Sequence, residues 1–254
     1  MIGIFDSGAG GLSVFKEIRK ILPDHHYIYY SDSAHCPYGE KTRDYIITRA
    51  RTITDFLIDK GAEIIVVACN TATAAAISTL RKEYPHIPFI GMEPAVKPAA
   101  MQTRTGIIGV LATAGTLKAE KYIGTKDRFA PDAEVVEHTG DGFVELVEQG
   151  CISGEEAENT VRKSIAPLIE AGADTIVLGC THYPFLTEVI KKVAEEIKPG
   201  HSINIIDPAP AVARHLLTVM AERGIAANSP EGFNIELHTS GDIEKLKSLY
   251  GKLK

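Results

Sequence analysis

A chain of 254 residues with 44% hydrophobic side chains can bury the core of one large domain or two small ones, which excludes wholesale disorder. A formal net charge of −6 argues against nucleic acid as a partner, because a phosphate backbone asks for a basic surface. A small anionic substrate stays open, since a local site can oppose the global charge.

Met1 leads directly into Ile-Gly-Ile-Phe, an apolar strand with no basic segment and apolar leader before it. No apolar run reaches the length of a membrane span, so no membrane partner is expected and the cytoplasm is the expected location. In that compartment Cys36, Cys69, Cys151 and Cys180 are expected to be free thiols. No two of them are spaced Cys-x-x-Cys, so neither a redox motif nor a zinc knuckle is written locally.

Along the chain, short apolar runs alternate with helical patterns. IGIF, YIYY, EIIVVA, PFIG, TGIIGVL, AEVVE, TIVLG and INII have the length and composition of strands. Between YIYY and EIIVVA, Ile46, Ala50, Ile53 and Leu57 fall on one face of a helix that stops at Gly61. Alternation of this kind predicts an α/β fold, doubly wound, with mostly parallel sheets.

One stretch is written twice. GAEIIVVAC ends at Cys69 and GADTIVLGC ends at Cys180, both on the pattern Gly-Ala-acid-x-Ile-Val-x-x-Cys. The repeat predicts two pseudo-symmetric domains with an active-site cleft between them. Breakers in GMEPAVKPAA and in IIDPAPAV place the boundaries, giving 1–95 plus 209–254 as one domain and 96–208 as the other.

Ligands of parallel sheets bind beyond the carboxyl ends of the strands, where both cysteines are expected. Polar residues follow each one: Asn70, Thr71 and Thr73 after Cys69, Thr181 and His182 after Cys180. A helix start there offers unpaired N–H groups and a partial positive charge, which favour a carboxylate and a thiolate. A lone strand-end cysteine is usually an inert small hydrophobe. Two in equivalent places suit a two-base inversion at carbon, one thiolate removing a proton from one face and the other thiol delivering one to the opposite face. His182 is placed to assist Cys180. Asp6, at the end of IGIF, reads either as a helix cap or as a group orienting chemistry near Cys69, with Ser7 holding substrate. The glycines of DSGAGGL do not fit Gly-x-Gly-x-x-Gly, and no Walker lysine follows, so no nucleotide cofactor is expected.

Together DSGAGGLSV, CPYGEK, ACNTAT and GCTHYP resemble the glutamate racemases, a cofactor-independent branch of the aspartate/glutamate racemase superfamily. The resemblance covers nearly the whole chain. It implies Cys69 and Cys180 as the acid/base pair, with Asp6 and His182 supporting them. It implies Ser7, Tyr38, Gly39, Asn70, Thr71 and Thr181 as substrate-binding positions, and Thr113 and Thr116 in LATAGT as lining residues. Glu148 in FVELVEQG matches a further family carboxylate, although on its own it reads as part of a solvated helix face. Many relatives carry a Cys-Pro pair before this Phe-Val, where the present chain has TGDGFV. The resemblance further implies no cofactor, no metal, a homodimer, and D-glutamate supply for the cell wall.

Three other readings stand beside it. An aspartate racemase would differ by one methylene in the pocket, a discrimination of about 1–3 kcal/mol. A non-enzymatic carboxylate-binding protein would need no paired thiols. A metal site from Cys69, Cys180, His182 and Asp6 would lack the usual local chelating pair.

Overall fold

The computed structural model describes residues 1–229 and 232–253. The chain divides into two compact units, Met1–Met92 with Ala209–Lys254, and Glu93–Pro208. In the first unit the order is β1 (Ile2–Asp6), α1 (Leu12–Ile21), β2 (His26–Ser31), α2 (Arg43–Asp59), β3 (Ile64–Val67), α3 (Asn70–Glu83) and β4 (Phe89–Gly91). The second unit holds α4 (Val96–Gln102), β5 (Ile107–Ala112), α5 (Ala114–Leu117), α6 (Glu120–Phe129) and β6 (Glu134–Thr139). It continues with α7 (Phe143–Gln149), α8 (Glu155–Glu170), β7 (Thr175–Gly179), α9 (Thr187–Ile197) and β8 (Asn204–Ile206). The chain then adds α10 (Ala209–Arg223), β9 (Asn234–Thr239) and α11 (Ile243–Gly251) to the first unit.

Every apolar run named from the sequence forms a strand, and all the strand pairs are parallel. The first sheet runs β4-β3-β1-β2-β9 and the second β6-β5-β7-β8. Read from its other edge the second becomes β8-β7-β5-β6, the same order as β4-β3-β1-β2. The doubled sequence motif is therefore a doubled topology. In each unit the cysteine-bearing strand lies beside the strand that opens the unit, with Phe5 opposite Val67 and Ala112 opposite Gly179.

β1, β3 and β7 are buried at every position. Helices covering both faces of a parallel sheet produce such continuous apolar strands in place of alternation. β9 was not anticipated. Its residues are mostly half-buried at the edge of the first sheet, where it pairs with β2 from Asn234 to Thr239, and Glu236 between Ile235 and Leu237 leaves it no continuous apolar run. In α2, Ile46, Ala50, Ile53 and Leu57 are all buried, as their spacing predicts, and Thr42 caps the helix by accepting the Tyr45 N–H.

A buried ion pair ties this helix to the sheet. Asp32 follows β2 and is fully buried. It accepts two hydrogen bonds from Arg49 of α2, at 2.9 and 2.8 Å, and one from the Tyr38 hydroxyl at 2.5 Å. Burial pushes the carboxyl up. Hydrogen bonds from Arg49, Tyr38 and Ser240, with the charge of Arg49, outweigh it and hold the group below the usual carboxylate range. A folded-state value below the unfolded one, about 3.9, adds stability above that value and loses it as the pH falls through the lower one. Asp32→Asn should cost about 3 kcal/mol in chemical denaturation at pH 7, since it leaves Arg49 without its charge partner. The difference from wild type should shrink as the pH is lowered below about 4.

Candidate active site

β1 and β3 lie side by side, so the segments that follow them rise from adjacent points of the carboxyl edge. Asp6 closes β1 and is fully buried. Its Oδ2 accepts the N–H groups of Gly8 at 3.1 Å and Gly11 at 3.0 Å, folding the glycine-rich turn over its own carboxylate. The Tyr29 hydroxyl donates to the Gly8 carbonyl at 3.0 Å and holds the other side. A Cβ at Gly11 would lie 2.7 Å from that of Asp6 and 2.8 Å from the Tyr29 oxygen, which is why the turn ends in glycine.

Cys69 stands at the N-cap of α3 in an extended conformation, a place usually held by serine, threonine or aspartate. Its Sγ accepts the Ala72 N–H at 3.3 Å, and its thiol reaches Ser7 Oγ at 3.7 Å. An N–H donor and the positive end of a helix both favour the thiolate form. Asn70 follows, 3% exposed, and neither atom of its amide has a hydrogen-bond partner among the described residues. A buried primary amide left in that state costs free energy unless a ligand or water meets it. Thr71, also buried, begins the same helix turn.

The second unit builds its edge from β5 and β7. Thr113 follows β5 and caps α5 by accepting the Thr116 N–H at 3.3 Å, while the two threonine hydroxyls lie 3.1 Å apart. Cys180 follows β7, buried, with Thr181 and His182 after it, both buried. Cys180 Sγ lies 3.7 Å from Nδ1 of His182, and Nε2 of the same ring lies 2.7 Å from Oε1 of Glu148. With a proton on Nε2, Glu148 accepts it and the Nδ1 lone pair faces the thiol. The result is a carboxylate–imidazole–thiol relay.

Ser7 meets Cys69, and His182 meets Cys180, as their places in the sequence suggest. Glu148 departs from the solvated helix face that its position alone implies. α7 turns its carboxylate onto a nearly fully buried histidine 34 residues away. Tyr38 spends its hydroxyl on Asp32, so what it and Gly39 offer a ligand is the backbone of a short turn, Tyr38–Glu40. Asp32, Arg49 and Tyr183 were not singled out from the sequence. An acid immediately after an apolar strand was the available signal for Asp32.

A model of the Asp/Glu/Hydantoin racemase family matches residues 2–216. A glutamate racemase of Ectopseudomonas mendocina is 44% identical over 98% of this chain and 92% of its own length. One from Pseudomonas syringae is 48% identical over 95% of this chain and 86% of its own. Among solved structures, a glutamate racemase isoform of Bacillus anthracis superposes with a TM-score of 0.86 at 31% identity, covering 99% of this chain and 92% of that one. A Francisella tularensis glutamate racemase in complex with D-glutamate superposes with a TM-score of 0.83 at 29% identity, with the same coverage of both chains.

The relay has a spectroscopic consequence. A carboxylate at hydrogen-bond distance favours the imidazolium. His182 of the Glu148→Gln protein should therefore titrate at lower pH than in wild type when its ring protons are followed by NMR. An unchanged midpoint would deny the carboxylate any electrostatic hold on the ring.

Proposed function

Because the chain belongs to the Asp/Glu/Hydantoin racemase family, we propose that it interconverts L- and D-glutamate by proton transfer at Cα. The observation that carries this reading is the doubled topology, which sets one thiol after the equivalent strand of each unit. Inversion at carbon needs a base for one face and an acid for the other. In one direction a thiolate takes the α-proton, the Cα–H electron pair moves into the adjoining carboxylate, and the second thiol returns a proton from the opposite side. The reverse direction exchanges the roles.

A free thiol has a pKa of about 8.5, so each partner needs help to ionise at neutral pH. Cys69 has the Ala72 N–H and the start of α3. Cys180 has His182, which takes its proton and hands it back while Glu148 steadies the ring. Asp6 positions Ser7 by closing the turn that carries it. The buried Asn70 amide can both donate and accept, and so suits the ammonium and carboxylate of an amino acid. Ser7, Thr71, Thr113 and Thr181 supply hydroxyls, Thr116 orients Thr113, and the Tyr38–Gly39 backbone completes the binding set. The reaction as proposed draws on protein groups alone, without metal or cofactor. Glutamate is the preferred substrate because the relatives carry that name and one holds D-glutamate. No helix among the described residues is long and apolar enough to cross a membrane. A cytoplasmic homodimer supplying D-glutamate for peptidoglycan is the biological setting of this reading.

The test is incubation of the purified protein with L-glutamate in D₂O, without added cofactor, following optical rotation and α-deuterium together. L-Aspartate runs in parallel, and a chelator-treated sample controls for metal. Loss of rotation with deuterium uptake from glutamate is the expected outcome. Cys69→Ser and Cys180→Ser should each lower racemisation at least ~10³-fold while retaining the fold, on the scale of general acid–base groups. Racemisation of aspartate alone would correct the substrate. No exchange from either amino acid, in folded protein with reduced thiols, would refute the reading.

A further inference from the structure

Resting on that reading and deepening it, we propose that Tyr183 is a positioning residue for the Cys180 half of the proton transfer, acting as a spacer that sets the Glu148–His182 contact. Tyr183 opens a short turn, Tyr183–Leu186, directly after His182. Its backbone N–H donates to the Cys180 carbonyl at 3.1 Å, which fastens the residue to the thiol-bearing end of β7. The side chain is 1% exposed and crosses to the segment that follows β6. There its ring packs edge-on against Phe143, the first residue of α7, with centroids 5.0 Å apart at 66°.

The contact has no slack. A Cβ added at Gly140 would lie 2.5 Å from the Tyr183 oxygen and 2.6 Å from Cζ. The hydroxyl donates to the Gly140 carbonyl at 3.5 Å, a long bond that contributes little by itself. The phenol therefore works by filling space. Rigid packing transmits such a displacement because an interior at close-packed density has nowhere else to put it.

The two segments that this ring separates are the two that form the relay. Gly140 leads through Asp141 and Gly142 into α7, which carries Glu148. Cys180 and His182 adjoin the backbone end of Tyr183, while the hydroxyl end meets Gly140. Burial raises the Tyr183 hydroxyl well above its ordinary pKa, and the negative forms of Cys180, Asp141 and Glu145 push the same way, so the spacer stays a neutral phenol. A change in its thickness moves α7 against residues 180–182 and so alters the 2.7 Å bond.

Gly140→Ala thickens the contact and Tyr183→Leu thins it, whereas Tyr183→Phe keeps the ring and removes only the long hydrogen bond. The first reading is the NMR titration of His182. In Gly140→Ala and Tyr183→Leu its midpoint should move toward that of Glu148→Gln, and in Tyr183→Phe it should stay within a few tenths of a unit of wild type. The second reading is the isotope effect with α-deuterated L- and D-glutamate. The direction in which Cys180 is the base is the one whose substrate loses its α-hydrogen to D₂O in Cys69→Ala. Gly140→Ala should lower kcat about tenfold, raise the isotope effect in that direction and lower it in the other, because only one of two proton transfers has slowed. Tyr183→Phe should change kcat less than threefold.

A His182 midpoint unchanged in both Gly140→Ala and Tyr183→Leu would overturn the proposal, and so would equal isotope effects in the two directions alongside lost activity. Melting temperatures separate either result from unfolding, and Tyr183→Leu serves if Gly140→Ala does not fold. A wild-type protein that does not racemise glutamate, with His182 still responding as stated, would remove the catalytic reading and leave the spacer standing.

Discussion

In each unit the polar groups at the strand ends depend on one constraint, the burial of parallel strands on both faces. β1, β3 and β7 have no solvent-facing side. A side chain that must meet a ligand can leave such a sheet only where a strand ends and a helix begins. Asp6, Cys69, Thr113 and Cys180 all stand there, each at the carboxyl end of a strand. The same position supplies unpaired N–H groups, so Cys69 is met by the Ala72 N–H and Asp6 by those of Gly8 and Gly11.

The two units solve the problem of a buried thiol differently. Cys69 is held by backbone, in the place of a helix cap, with a serine hydroxyl beside it. Cys180 is held by side chains, through an imidazole and a carboxylate brought in from α7. Backbone donors are present in any helix start. A side-chain relay needs separate elements to be kept at a set distance, and close packing around Tyr183 and Gly140 does that work. The equal strand order thus supports unequal local chemistry.

Buried carboxylates away from the thiols show the same economy of partners. Asp174, in the second copy of the doubled motif, accepts the Thr103 hydroxyl at 2.6 Å and the N–H groups of Arg104 and Thr105 at 2.7 and 3.2 Å. Burial works against its charge, and these hydrogen bonds outweigh it to hold the carboxyl below its ordinary range. Its counterpart Glu63 lies at the surface and pairs with the N-terminal ammonium. The two acids share a place in the motif and not an environment, because the segments that pack beside them differ.

What the sequence determined by itself is local. Continuous apolar runs specify parallel strands, and Ile46, Ala50, Ile53 and Leu57 specify the inner face of α2, because strand and helix periods repeat within a few residues. The doubled Gly-Ala-acid motif announced two equivalent sheets, and Asp6 and Ser7 after the first strand and His182 after Cys180 could be placed from strand ends alone. β9 escaped because its apolar residues alternate with polar ones, Ile235 and Leu237 standing on either side of Glu236, and so form no continuous apolar run. Only the tertiary structure decided that Glu148 leaves its helix face for His182, that Arg49 reaches Asp32, and that the Tyr183 ring fills the space over Gly140. Those contacts join residues 17 to 43 positions apart. Their geometry follows from how helices settle on a sheet, and no local period of the chain encodes that.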